Sequence, residues 1–255
     1  MNSFDHLISS FSPCVFGLQE THLRKRGQIK FSTDSEYQVY ELLRDQKGGG
    51  GLALGAKKDL LPIWISEGCD KVEALTIQIS VRNMNIRITN AYGPQNYDNI
   101  EKKIKFWQYL ESEVLLSQTN GTGCLIMMDS NCWLGYNYYK FDPNPQNENG
   151  KLFQNFLERN ESLSVLNLHP LCQGVITRSR TVMNKTEKSC LDFMIVCDKM
   201  LPFFEKMVID EKKEFSLSNF KGKTSKKAAT TSDHNLMMAE FSLKYSKKKN
   251  EERQT

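Results

Sequence analysis

Cys124 to Met128 is an unbroken apolar run that passes directly into Asp129-Ser130-Asn131. A strand with apolar residues on both faces has to be covered on both faces, so it belongs near the centre of a sheet with layers above and below. Other apolar runs of strand length recur along the chain: Cys14 to Leu18, Gly51 to Leu54, Val72 to Ile79, Met84 to Tyr92, Leu163 to Leu168, Leu191 to Val196 and Asn235 to Phe241. Period-two alternation puts Leu75, Ile77 and Ile79 on one face of their strand, and Met84, Ile86 and Ile88 on one face of theirs. Helical spacing is confined to three segments. These are Phe4, Leu7, Ile8 and Phe11; Ile104, Trp107, Leu110, Val114 and Leu115; and Leu152, Phe153, Phe156 and Leu157. Strands outnumber helices, so the expected body is α/β with two packed sheets rather than a Rossmann fold.

Composition narrows the class further. With 14 Phe, 9 Tyr and 3 Trp in 255 residues, the bulk of the chain is too aromatic for a solvated, disordered polymer. Its apolar runs fall far short of the ~20 residues a membrane helix needs. Met1 to Phe11 holds Asp5 and His6 and has no basic flank before an apolar stretch, so a secretory signal is not expected. Seven cysteines, none in a Cys-x-x-Cys pair, argue for reduced thiols and against a zinc site. The expected location is intracellular, with the nucleus among the candidates. There is no internal repeat and no long linker. One domain is expected over residues 1–245, followed by a charged tail over 246–255. Asp142 to Gly150 reads as a turn-rich loop and Lys221 to Lys227 as a basic loop. The four consecutive glycines from Gly48 lack the Gly-Lys-Ser/Thr ending of a phosphate loop and read as a tight turn before a strand.

Polar residues gather where the apolar runs stop. Gln19-Glu20-Thr21-His22 follows the first run, and Tyr92-Gly-Pro-Gln95 follows Met84 to Ala91. Asp192 lies inside Leu191 to Val196, and Ser232-Asp-His234 immediately precedes Asn235. A carboxylate at a strand end is costly to desolvate unless it is paired or binds a cation. Converging carboxylates with a His, an Asn and a Tyr suit a Mg²⁺-dependent phosphate site, with oxygen ligands for a hard cation and polar donors for the phosphate. Taken singly, Glu20 would read as a surface carboxylate, Asp129 and Asn131 as an Asx turn, and Asp192 as half of a buried ion pair with an Arg. His6, His22 and His169 carry no assigned role.

In order, Leu18-Gln-Glu-Thr-His22, Gly48-Gly-Gly-Gly-Leu-Ala-Leu54, Asn90-Ala-Tyr-Gly-Pro94, Met128-Asp-Ser-Asn131, Leu191-Asp-Phe193 and Ser232-Asp-His234 resemble the endonuclease/exonuclease/phosphatase superfamily. Within it, the chain is most similar to the apurinic-type endonuclease domain of non-LTR retrotransposons, over roughly residues 3–242. The resemblance implies a DNase I-like, four-layer α/β sandwich of two mixed sheets flanked by helices. It also implies hydrolysis of DNA phosphodiesters with Mg²⁺ (or Mn²⁺), nicking one strand at the target site of a reverse-transcriptase-bearing element.

Carried over by position, the resemblance makes Glu20 a metal ligand and has Asp129 activate or orient the attacking water. Asn131 would position the phosphate and Tyr92 would contact it. His234 would stabilise the charged transition state, with Asp192 orienting its ring. Asp233 would serve the metal or the water. Gln95, Thr177, Lys223 and Lys226 would lie on the substrate side, and Trp133, Tyr136, Tyr138 and Tyr139 could stack on bases or simply anchor loops. The chemistry fits independently, since hydrolysis needs an activated water and positive charge at the nonbridging oxygens, and a His–Asp pair favours the imidazolium. An abasic-site repair nuclease and an inactive nucleic-acid-binding remnant are the competing readings.

Two departures stand out. Members of that superfamily begin with a strand ending in Asn ahead of the first helix, whereas here the chain opens almost at the Phe4–Phe11 helix. Asn2 is too close to that helix to match, so an N-terminally truncated version of the fold is expected. Met128 stands where Gly is common.

Overall fold

The computed structural model describes residues 3–30, 33–43, 50–69, 72–136, 145–183, 185–215 and 232–243. The first part of the chain forms α1 (Ser3–Phe11), β1 (Val15–Gln19), β2 (Tyr37–Leu42), β3 (Leu52–Lys57), β4 (Ile63–Glu67), β5 (Glu73–Val81) and β6 (Met84–Tyr92). Then come α2 (Ile100–Thr119), β7 (Gly123–Asp129), α3 (Glu148–Arg159), β8 (Leu163–Val165) and β9 (Cys172–Gln173). A hairpin of β10 (Arg178–Val182) and β11 (Lys185–Ser189) precedes β12 (Asp192–Cys197), β13 (Phe204–Ile209) and β14 (Met237–Phe241).

The doubly apolar run does lie at the centre. β7 sits inside a six-stranded sheet of order β4-β5-β6-β7-β12-β8, parallel to β6 and antiparallel to β12. Its helix-side face meets α2 and α3. Trp107 stacks on Phe153 at 4.9 Å between centroids, and Phe153 meets Phe193 of β12 edge-on at 5.0 Å. The other face is covered by two three-stranded sheets, β1-β3-β2 and β14-β13-β9. α1 packs Phe4 and Ile8 against Phe16 and Tyr37 on the outer side of the first of these. Helices, sheet, paired half-sheets and helix make the four layers expected, and each fully buried Leu, Ile or Phe between them contributes about 1.5–3 kcal/mol.

β1 and β14 are edge strands of their half-sheets among the described residues. Asn2, Gly48 and Gly49, Tyr138 and Tyr139, Lys221 to Lys227 (with Lys223 and Lys226) and the tail over 246–255 lie outside the described residues.

Three local readings change. Leu166 to Leu168 leaves the strand for a 3-10 turn. α3 starts at Glu148, inside the stretch read as a loop, because the Asn147 side chain caps it by accepting from the Gly150 N–H at 2.7 Å. On α2, Ile104 and Leu115 face outward while Lys103 and Glu113 lie on the buried stripe. Both charges have partners: Lys103 Nζ meets the exposed Glu148 at 2.9 Å, and Glu113 meets the buried Arg87 at 2.5 Å. A periodicity counted on apolar residues alone misses a face that uses ion pairs.

Candidate active site

The site is assembled by strand register. Tyr92 on β6 is paired with Asp129 on β7, and Asp129 is paired with Asp192 on β12. Directly paired residues point to the same face, so the three side chains form a row across one end of the central sheet, facing the half-sheets. β1 then delivers Glu20 to this row and the segment before β14 delivers His234. Tyr92 Oη donates to Glu20 Oε1 and accepts from Gln95 Nε2 at 2.5 Å. His234 Nδ1 lies 3.0 Å from each oxygen of Asp192, and its Nε2 is 3.9 Å from Asp129 Oδ2.

The loops around the row are locked to one another. Asn131 donates its N–H to Asp129 Oδ1 at 3.0 Å and its Nδ2 to the Gly93 carbonyl at 2.9 Å. Gly93 in turn donates to the Asp129 carbonyl at 2.6 Å. A Cβ on Gly93 would lie 2.2 Å from the Ser130 carbonyl oxygen, so only glycine permits this approach. Glu20 and Asn131 both have left-handed backbones, with φ 51° and 50°. Asn tolerates that region, whereas Glu is strained there by about 1–3 kcal/mol, a pattern that gathers at working sites. Gly50 and Gly51, both at positive φ, accept on their carbonyls from the N–H groups of His22 and Thr21.

Burial and mutual repulsion set the electrostatics. Asp129 is pushed up to about 8, chiefly by burial and then by the neighbouring Asp192 carboxylate, with His234 opposing. For His234, burial is the largest influence and works against the charge. The carboxylates of Asp192, Asp129 and Asp233 outweigh it and carry the ring up to about 9. Tyr92 is held well above the usual phenol range by burial and by Glu20, so it stays a proton donor. Asp233 is lowered despite its burial, because the charges of His234 and Arg178 face it.

A pH dependence of folding follows. The unfolded carboxyl titrates near 3.8 and the folded one near 8, and the unfolded imidazole near 6.5 and the folded one near 9. Between pH 6.5 and 8 the folded protein holds both protons that the unfolded chain releases, so stability falls as pH rises. In EDTA, melting curves should show a loss of about 4–5 kcal/mol from pH 6.5 to 9, and Asp129→Asn should remove about half of it. A melting temperature that rises across this range would contradict the assignment.

Asp129, Asp192 and His234 offer ligand atoms within 4.8 Å of one another and could hold a metal ion. Glu20 sits at the exposed rim of the same row through Tyr92. Asp233 points to Arg178, its Oδ2 accepting from Nε at 2.9 Å. Thr177 is fully buried below the row, where its Oγ1 accepts from the N–H groups of Leu191 and Asp192 at 2.9 and 3.1 Å. Gln95 borders a cavity of about 140 Å³ shared with Glu20, Tyr92, Tyr97 and Asp98. Trp133 is half-buried and Tyr136 exposed.

Comparison with solved structures sets this arrangement in context. The endonuclease domain of TRAS1, a telomere-specific non-LTR retrotransposon, superposes with a TM-score of 0.67 at 15% identity, covering 95% of this chain and 92% of that one. The chain has the endonuclease/exonuclease/phosphatase fold. The same fold is shared with the 3'-5' exonuclease NExo from Neisseria meningitidis, at TM-score 0.64 and 17% identity over 94% of this chain and 93% of that one. It is shared too with an AP endonuclease from Archaeoglobus fulgidus, at 0.61 and 18% over 93% and 92%. No family model and no curated protein matches the sequence. In this fold the row of Tyr92, Asp129 and Asp192 lies at the rim of the central sheet, where side chains from both layers converge.

Two residues that lie within the motifs without an assigned role tie the strands beneath the site together. Gln19 Nε2 donates to Asn90 Oδ1 at 2.5 Å, and Asn90 Nδ2 donates to the Leu18 and Ala53 carbonyls, joining β1 and β3 to β6 beneath Glu20. Arg24, Lys25, Arg26 and Lys30 form an exposed basic run just after Glu20. The charge density of that run was a readable signal; the role of Asn90 was not.

Proposed function

We propose that this chain is a metal-dependent phosphodiesterase that nicks one strand of DNA, the target-site cleavage of a retroelement. The reading is carried by one observation: the register-aligned Tyr92, Asp129 and Asp192 beneath His234, with Glu20 at the rim. Three nucleases sharing the fold support it.

Within this reading Asp129 is the group that takes a proton from, or orients, the attacking water, and a raised carboxyl pKa suits a base working near neutrality. His234, kept cationic by Asp192, faces the negative charge that develops on the phosphate oxygens. Asn131 and Tyr92 donate to the phosphate and Gln95 lies beside it. Thr177 holds the backbone of Asp192 from below.

The donor set fits a divalent cation. Asp129 is buried against a second carboxylate, and its raised pKa marks negative charge that the protein alone does not neutralise. Asp129 and Asp192, with Glu20 at the rim, would supply the oxygen ligands of a hard ion such as Mg²⁺ or Mn²⁺ and His234 lies alongside; Asp233, held by Arg178, would have to turn from that partner to join them. When bound, the ion supplies Lewis-acid stabilisation of the phosphoryl oxygens.

DNA contacts are proposed on both sides of the row. Arg24, Lys25, Arg26 and Lys30 follow Glu20, and the β10–β11 hairpin carries Arg178, Arg180, Lys185 and Lys188 next to His234. Such cations bind phosphates without reading sequence.

The test is supercoiled plasmid incubated with purified protein in Mg²⁺ and in EDTA, beside an abasic-site oligonucleotide duplex. Open-circle product in Mg²⁺ alone, with the abasic duplex cut no faster than an intact one, is expected. Faster cutting of the abasic duplex would move the function to repair, and no cutting with retained DNA binding would mark an inactive binding module.

A further inference from the structure

The two loops that carry the site, Tyr92–Gln95 after β6 and Asp129–Asn131 after β7, meet a third element that no motif announced. Asn149, in the first turn of α3, is fully buried. Its Nδ2 donates to the Ser130 carbonyl at 2.7 Å and, more weakly, to the Pro94 carbonyl at 3.4 Å. Its Oδ1 accepts from Trp107 Nε1 of α2 at 2.8 Å. One amide thus grips Ser130, between Asp129 and Asn131, and Pro94, just before Gln95.

The surroundings hold that amide in place. The α3 cap, Asn147, accepts from the Trp133 N–H at 3.1 Å and donates to the Asn131 carbonyl at 3.4 Å. A Cβ on Gly150 would lie 2.1 Å from the Trp133 carbonyl oxygen, so the helix end abuts the loop without slack. Lys103 Nζ ties the Asn96 carbonyl to Glu148 on the far side. Among the described residues outside the two loops, Asn149 is the one whose side chain bonds the backbone of both.

We propose that Asn149 is a positioning residue that sets the separation between Tyr92 with Gln95 and Asp129 with Asn131. It acts through the Ser130 and Pro94 carbonyls and touches neither substrate nor reacting atoms. The role rests on the nuclease reading above for its catalytic consequence, though not for its structural one. The amide is needed because two carbonyl acceptors and one indole donor converge there. A carboxylate would repel the carbonyls, and a hydroxyl is too short to reach all three.

The experiment compares Asn149→Asp with Trp107→Phe. Both disturb the same buried junction, but only the first removes the donor to the two loops. Turnover of Asn149→Asp at pH 8 should fall about 30-fold or more with KM nearly unchanged, since displaced groups cost rate more than binding. Trp107→Phe should keep kcat within about threefold of wild type at a similar loss of melting temperature. Amide exchange at Gly93 and Asn131 should quicken in Asn149→Asp and stay unchanged in Trp107→Phe.

Equal kcat losses in the two variants, or an Asn149→Asp enzyme within about threefold of wild type, would overturn the proposal. Should Asn149→Asp fail to fold, Asn149→Ser is read against the same thresholds. If wild type itself cuts no DNA, the nuclease reading fails and the exchange rates decide this inference alone: unaltered exchange at Gly93 and Asn131 refutes it.

Discussion

Asp129→Asn should lower plasmid nicking at least about 10³-fold while leaving DNA affinity within about threefold. Asn preserves the shape of the side chain and can still accept from the Asn131 N–H, so the loop keeps its geometry. What is lost is the carboxyl buried against Asp192, and with it the group placed to take the proton of the attacking water. Because the wild-type carboxyl is raised by burial and by Asp192, its removal should also stabilise the metal-free protein above neutral pH. Single-turnover nicking and a melting curve on one preparation check both parts. A variant keeping a tenth of the wild-type rate would remove Asp129 from the chemistry.

His234→Ala is expected to cost about 10²–10⁴-fold in the same assay, the range found when a charge-stabilising or proton-transferring side chain is deleted. Nδ1 of the ring lies 3.0 Å from both Asp192 oxygens, and the three neighbouring carboxylates hold it cationic up to about pH 9. Asp192→Asn should therefore produce much of the same loss, and the double variant little more than either single one, since the two residues act as a unit. Additive losses would separate them and reduce Asp192 to an unrelated structural carboxylate.

The sequence marked candidate residues more clearly than how they are held. Glu20, Tyr92, Asp129, Asp192 and His234 were legible because each ends or interrupts an apolar run, where an ionisable group has no cheap reason to be. Leu18-Gln-Glu20 and Met128-Asp129 read directly as strand ends and are strand ends. Asn149 was hidden in a stretch that reads as a turn by composition, and a buried amide gives no periodic signal. Thr177 was legible as a hydroxyl near the site, but not as a support for the Asp192 backbone. Lys103 and Glu113 misdirected the reading of α2, because ion pairs occupied positions where apolar residues were sought.

Apolar runs, their lengths and the acids at their ends determined from sequence alone that this is a layered α/β chain with a carboxylate-rich site at strand termini. Those are local properties, set by side-chain hydrophobicity and backbone period. Only the tertiary structure decided that Tyr92, Asp129 and Asp192 share one register across β6, β7 and β12. It alone brought His234 onto Asp192 across 42 positions of chain and put Asn149 beneath two loops. Register and long-range contact depend on how whole faces pack, and no short stretch of sequence carries that energy by itself.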